Sequence, residues 1–278
     1  MAFLNQILRW ISRLSLDVAA GALSGLLFFS RLFRVQIDPI VYLLLGTAVW
    51  CIYTTDHILD SKKGNDPVPE RYAFHAKYGK FLGLLVGILA IQGVLLAYRF
   101  LGLGIEFYLS LGLVLVIGLT MVMVRKAGST AGLIKEFSTA LFYVLGISWL
   151  PMLRMPAVEW SGFHFLFLGL YVGLAFLNLL MLSVLDRKED QSQGFGSAAL
   201  LFDPVILISW IRKGLIWLIF LALGVFIFLP SFYRPFACML LLMLLVHYFT
   251  FFSNHLSIDR KRRQMEAAFL IPALLIVL

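Results

Sequence analysis

Charge is what this sequence has least of. Of its 278 residues only 14% are Asp, Glu, Lys or Arg, against roughly 25% in ordinary soluble domains, while 61% are hydrophobic. No soluble domain buries that much apolar surface, and a mean hydropathy of +0.93 excludes one. Strictly alternating apolar and polar residues are also missing, which excludes a transmembrane β-barrel. Cysteine is nearly absent. Cys51 and Cys238 fall near opposite membrane faces in the topology below, which argues against a structural disulfide. Residues 1–15 lack the apolar core and small-residue cleavage site of a signal peptide, and with Arg9 and Arg13 they read as a short interfacial segment.

Long apolar runs are what the chain does have. Runs of about 20 residues, the length of a membrane-spanning helix, recur throughout. Hydropathy predicts nine spans, near 16–33, 38–57, 79–98, 102–124, 133–152, 162–185, 214–230, 235–252 and 265–278, in a single domain covering 16–278. The fifth starts with Lys135 and Glu136, and the ninth contains Pro272. The stretch 198–211 is apolar but short, and reads as a re-entrant or interfacial helix.

With this count, 18 of the 23 lysines and arginines lie on one side. Arg31, Arg34, Arg99, Arg154 and Arg234 lie on the other. The asymmetry places the first side in the cytoplasm. It also accounts for the net charge of +8 without a nucleic-acid partner. The expected setting is a multi-pass protein of an inner or cell membrane of bacterial type. The tract Arg260-Lys261-Arg262-Arg263 reads as an anchor for anionic lipid headgroups.

Two acidic pairs interrupt this apolar background. Asp56 and Asp60 end the second span, and Asp186 and Asp190 end the sixth. Each pair is spaced i, i+4 and so shares one helix face. Four helices separate the pairs, so both return to the same membrane face. Carboxylates beside membrane helices are costly to keep and mark functional sites by default. Four of them facing one another require cations. Hard oxygen ligands suit Mg²⁺, which takes one or two carboxylates, several waters and a phosphate-bearing substrate. Lys62, Arg71, Lys135 and Arg187 are the cationic candidates to complete a diphosphate clamp. Asp66 and Asp203 each precede proline and read as turn or helix-start residues.

In these motifs the chain resembles the UbiA-type intramembrane prenyltransferases, whose first motif, NDxxDxxxD, follows helix 2 and whose second, DxxDxxxDxxxG, follows helix 6. The matching stretches run from Ile52 through Asp56 and Asp60 to Arg71, and from Ser183 through Asp186 and Asp190 to Gly194, within the loop ending near residue 197. Both keep DxxxD. Ile52 and Tyr53 replace the leading Asn-Asp of the first motif, and Ser183 replaces the leading Asp of the second.

The resemblance implies nine helices around a lipid-open cavity with a polar pocket on the cytoplasmic side. It further implies Mg²⁺-dependent transfer of an isoprenyl group from its diphosphate to a hydrophobic acceptor, aromatic or lipid. Asp56, Asp60, Asp186 and Asp190 would be the metal-binding and catalytic residues, and Lys135 would stand near the diphosphate. Tyr53, Tyr143 and Phe176 would offer aromatic faces to an allylic cation. Asn178, two turns before Asp186, would polarise an acceptor, and His57 would reach a phosphate. Three alternatives stay open at this point: a terpene synthase or cyclase of the same fold, an ion-coupled transporter, and a lipid-binding relative that has lost catalysis with its leading motif residues.

Overall fold

A computed structural model describes residues 14–63, 70–127, 132–194 and 196–277. The expected interfacial segment lies almost wholly outside these residues, as do the side chains of Lys62 and Arg71. The described residues form α-helices and short 3-10 turns, with no strand among them. The helices are α1 (Leu16–Leu32), α2 (Pro39–Lys63), α3 (Glu70–Leu101), α4 (Ile105–Ala127), α5 (Gly132–Arg154), α6 (Gly162–Gln193), α7 (Ala198–Leu201), α8 (Pro204–Phe228), α9 (Arg234–Phe252) and α10 (Ile258–Ala268).

Seven of them, α2 to α6, α8 and α9, are long and apolar enough to cross a membrane. The protein is thus an all-helical, membrane-embedded chain. Two expected spans differ from the nine read in the sequence. The first is a helix of 17 residues, at the short end of the roughly 17–25 that span a bilayer. The ninth is not one helix. Residues 265–268 close the charged helix α10, and Ile271–Ile276 form a 3-10 turn. Pro272 has no N–H to continue an α-helical ladder.

The expected re-entrant helix at 198–211 is also corrected. Asp203 accepts hydrogen bonds from the N–H groups of Val205 and Ile206, with Pro204 at the first helical position. That cap and proline start a new helix, which runs unbroken to Phe228. Only α7 remains of the separate element. At the other end of the same connection, Gly194 closes α6 at φ +70°, a left-handed conformation that glycine adopts without strain.

Burial separates the centre of the bundle from its edge. Half of the most apolar window of α6 and of α9 is buried, against 6% for α3 and none for α4. Leu84, Ile91, Leu119 and Met123 are exposed on α3 and α4, as side chains facing lipid would be. An aromatic cluster joins α1, α6 and α9. Phe28 lies edge-on to Phe29, Tyr171 and Phe236 at centroid distances of 5.2, 5.5 and 5.4 Å, a geometry the ring quadrupoles favour.

Helix α1 reaches this position because two glycines clear its face. A Cβ on Gly25 would stand 2.5 Å from Ile147 Cδ1, and one on Gly21 would stand 3.0 Å from Phe269 Cβ. At one end of the bundle, Arg154 closes α5. Its Nε and Nη2 donate to Glu106 at 3.1 and 2.9 Å, and its Nη1 donates to Asp38 at 3.3 Å. This clasp fastens the starts of α2 and α4 together. The acidic motifs sit towards the opposite helix ends.

Gly25→Leu should lower stability by about 1–3 kcal/mol through overpacking, read as a lower thermal-unfolding midpoint in detergent. Gly118→Ala on α4, where a new Cβ meets nothing within 4 Å, should leave the midpoint unchanged. An unaltered midpoint in Gly25→Leu would contradict the α1–α5 contact.

Candidate functional site

Helices α2 to α6, with contributions from α1 and α10, enclose a cavity of about 1370 Å³. Small-molecule pockets commonly run to about 300–1,000 Å³, so this one accommodates a long ligand. Its apolar walls come mainly from α2 to α5, through residues such as Leu45, Leu89, Val114, Ile117, Phe142 and Leu150. All four motif aspartates line it. Asp56 and Asp60 stand one turn apart near the end of α2, and Asp186 and Asp190 one turn apart near the end of α6. The even number of intervening helices brings the two pairs to one cavity.

Lys135, His57, Tyr53 and Tyr143 line it as well. Asn178 and Arg187 do not. Asn178 is 8% exposed, and its Oδ1 is buried with no hydrogen-bond partner. Eight residues along an α-helix leave about 80° of rotation, which turns Asn178 away from the face carrying Asp186. Arg187 follows Asp186 directly and points off that face, while Lys188 reaches the cavity instead. Phe176 packs edge-on against Phe137 at 5.6 Å and is not part of the wall.

Ser183, three residues before Asp186, is buried. Its Oγ accepts the N–H of Ala199 at 3.0 Å. Glu136, one residue beyond Lys135 and also buried, accepts the N–H of Ala198. Together they hold the first turn of α7 between α5 and α6. The approach is close enough that a Cβ on Gly132 would lie 2.5 Å from the carbonyl carbon of Ser197. A serine at 183 therefore docks the segment that follows motif two. Glu136 was legible only as a carboxylate in the first turn of an apolar run, and nothing in its spacing marks it as inward-facing. His75 carries no motif signal either, yet it is buried in the wall with its ring 4.9 Å from that of His57.

The basic tract at 260–263 needs correction. Arg262 forms an ion pair with Asp186, and Arg263 lines the cavity. Lys261 Nζ donates to the carbonyl of Phe251 at 2.8 Å. Only Arg260 of the four is exposed. The tract is turned inward because α10 folds back under the bundle instead of leading into a ninth span.

Among the described residues, nine carboxylates line the cavity (Asp17, Asp56, Asp60, Glu136, Asp186, Glu189, Asp190, Asp259 and Glu266), together with four cationic side chains, Lys135, Lys188, Arg262 and Arg263. Among the described residues no three His, Cys, Asp or Glu side chains close into a ready-made metal cage. Two separate carboxylate pairs do suit Mg²⁺, which keeps several waters and completes its shell on phosphate oxygens. The donor chemistry is compatible with that ion, as two carboxylate pairs lining one pocket.

Set against protein-family models, curated proteins and solved structures, the chain matches none.

Glu136→Ala leaves the buried N–H of Ala198 without its acceptor and should destabilise by about 1–3 kcal/mol. Faster amide exchange should appear at residues 197–199. Glu136→Gln retains an acceptor oxygen and should lose less. Equal losses in both variants would show that the charge, and not the hydrogen bond, is what the fold uses.

Proposed function

We propose that this protein is a divergent UbiA-type prenyltransferase that moves an isoprenyl group from its diphosphate to a hydrophobic acceptor inside the membrane. The observation that carries the reading is the shared cavity, with two DxxxD pairs at its polar end and apolar walls beyond. In this reading α1 and the segment from α10 to Ile276 complete a nine-part bundle. The motif end faces the cytoplasm, the side to which the basic residues are biased.

Each part of the wall then has a task. Asp56 and Asp60 from α2, with Asp186 and Asp190 from α6, hold divalent cations at the polar end. Bound Mg²⁺ would neutralise the diphosphate and make it a better leaving group. Lys135 adds a fixed positive charge beside the departing oxygens. The apolar walls take up the isoprenyl chain and exclude the water that would otherwise capture a carbocation. When the C–O bond breaks, both electrons leave with the diphosphate, and the allylic cation is bounded by the rings of Tyr53 and Tyr143. A nucleophilic carbon or oxygen of the acceptor forms the new bond, and the acceptor loses a proton.

In this reading cation and diphosphate enter as partners, since carboxylates at the polar end would repel an uncomplexed diphosphate. The acceptor follows from nothing so specific, and product analysis identifies it.

Purified protein in lipid or detergent, supplied with isoprenyl diphosphates and Mg²⁺, should release diphosphate. Asp56→Ala and Asp186→Ala should each reduce the rate by about 100-fold or more, the scale of losing one group that stabilises charge in the transition state. Chelation of Mg²⁺ should abolish release. Unchanged rates in both variants would overturn the assignment of the site, and a cyclised hydrocarbon formed without acceptor would replace transfer by cyclisation.

A further inference from the structure

Motif two already has a cation of its own. Arg262 Nη2 pairs with Asp186 Oδ1 across 76 residues of sequence. The two side chains keep only 19% and 12% of their surface exposed. We propose that Arg262 is an exchangeable counter-ion: it holds Asp186 while the site lacks a divalent cation, is displaced when one binds, and then serves the phosphate oxygens of the substrate. The inference rests on the metal–diphosphate reading above and adds the regulation of that site.

The physical case begins with the cost of leaving either partner alone. A carboxylate that is mostly withdrawn from water must be neutralised, and removing one partner of such a pair is strongly unfavourable. Arg262 meets that requirement in the absence of metal. A divalent ion meets it better, with twice the charge on the same oxygens. Guanidinium and metal then repel each other, and the arginine must leave Asp186.

Helix α10 is held in place without that pair. Lys261 donates to the carbonyl of Phe251 at 2.8 Å, and Thr250 Oγ1 donates to Gln264 Oε1 at 3.3 Å. Both bonds tie α10 to the end of α9, so releasing Asp186 frees a side chain and not the helix. The planar fork of a guanidinium binds carboxylate and phosphate alike. Arg262 can therefore change partner within the polar end of the cavity. Lys188, Glu189 and Arg263 line the cavity with it, as do Asp259 and Glu266 of its own helix.

The probe is Mn²⁺ titrated into full-length purified protein without substrate, with free Mn²⁺ read by electron paramagnetic resonance. Arg262→Gln should bind Mn²⁺ about tenfold more tightly than the parent, the factor that about 1.4 kcal/mol of lost competition gives. Arg262→Lys, which keeps the charge but not the fork, should fall between the two and serves as the test if the glutamine variant does not fold. In the presence of saturating Mn²⁺, inorganic pyrophosphate should bind Arg262→Gln about tenfold more weakly than the parent.

Mn²⁺ affinity that is unchanged or weaker in both variants, with the parent binding Mn²⁺ normally, overturns the exchange and leaves the metal site standing. Pyrophosphate affinity that does not fall overturns the second partner. Mn²⁺ bound by neither parent nor variants overturns the metal-site reading itself and the exchange with it.

Discussion

Carboxylates at the ends of apolar helices impose the condition that the rest of this structure meets. Their charge has few ways to be tolerated beside hydrocarbon: solvent, protein cations or bound metal. Here α2 and α6 each bring a pair to the same cavity, and among the described residues nine more acidic or cationic side chains line it. The chain answers partly with its own residues. Arg262 is folded in from α10 onto Asp186, and Lys135 lines the wall at the start of α5.

The scaffold separates rigid and yielding parts accordingly. The buried aromatic cluster of α1, α6 and α9 and the glycine-cleared contact of α1 with α5 fix the helix that carries motif two. Helices α3 and α4 bury few of their residues, and the start of α4 is held by the Arg154 clasp to Glu106. A long apolar ligand would thus lie between a packed wall and a lipid-facing one. Ser183 belongs to the rigid part. Docking α7 through the N–H of Ala199 gives a structural use to the residue that breaks the resemblance in motif two.

Much of this was legible in the sequence, and the failures are physical in origin. Hydropathy located α2 to α6, α8 and α9, because a 20-residue apolar run in a membrane has little choice but to be helical. Counting helices between the acidic pairs puts them on one side, and all four aspartates line one cavity. The C-terminus misled because hydropathy averages over Pro272, while the charges just before it belong to an inward-folded helix. Asn178 stands two turns before Asp186, and the roughly 80° of residual rotation over eight residues puts it off the face that carries Asp186.

Arg262 and Glu136 were invisible for a different reason. Sequence shows that a basic tract or a first-turn carboxylate exists. It does not show which of four adjacent cations points at an aspartate 76 residues away, or that a carboxylate will meet the N–H of Ala198. Such contacts depend on how α10 folds back and how α7 wedges between α5 and α6, and no periodicity encodes either. His75 is the same case, joined to His57 only by the packing of α3 on α2.

The most direct test of the central claim is the structure of the protein in lipid nanodiscs, determined by electron cryomicroscopy with Mg²⁺ and a non-ionising thio-analogue of an isoprenyl diphosphate. The account expects the diphosphate between the ends of α2 and α6, with metal density bridging it to both DxxxD pairs and the isoprenyl chain along the walls of α2 to α5. Diphosphate bound elsewhere, or held without metal contact to either aspartate pair, would contradict it.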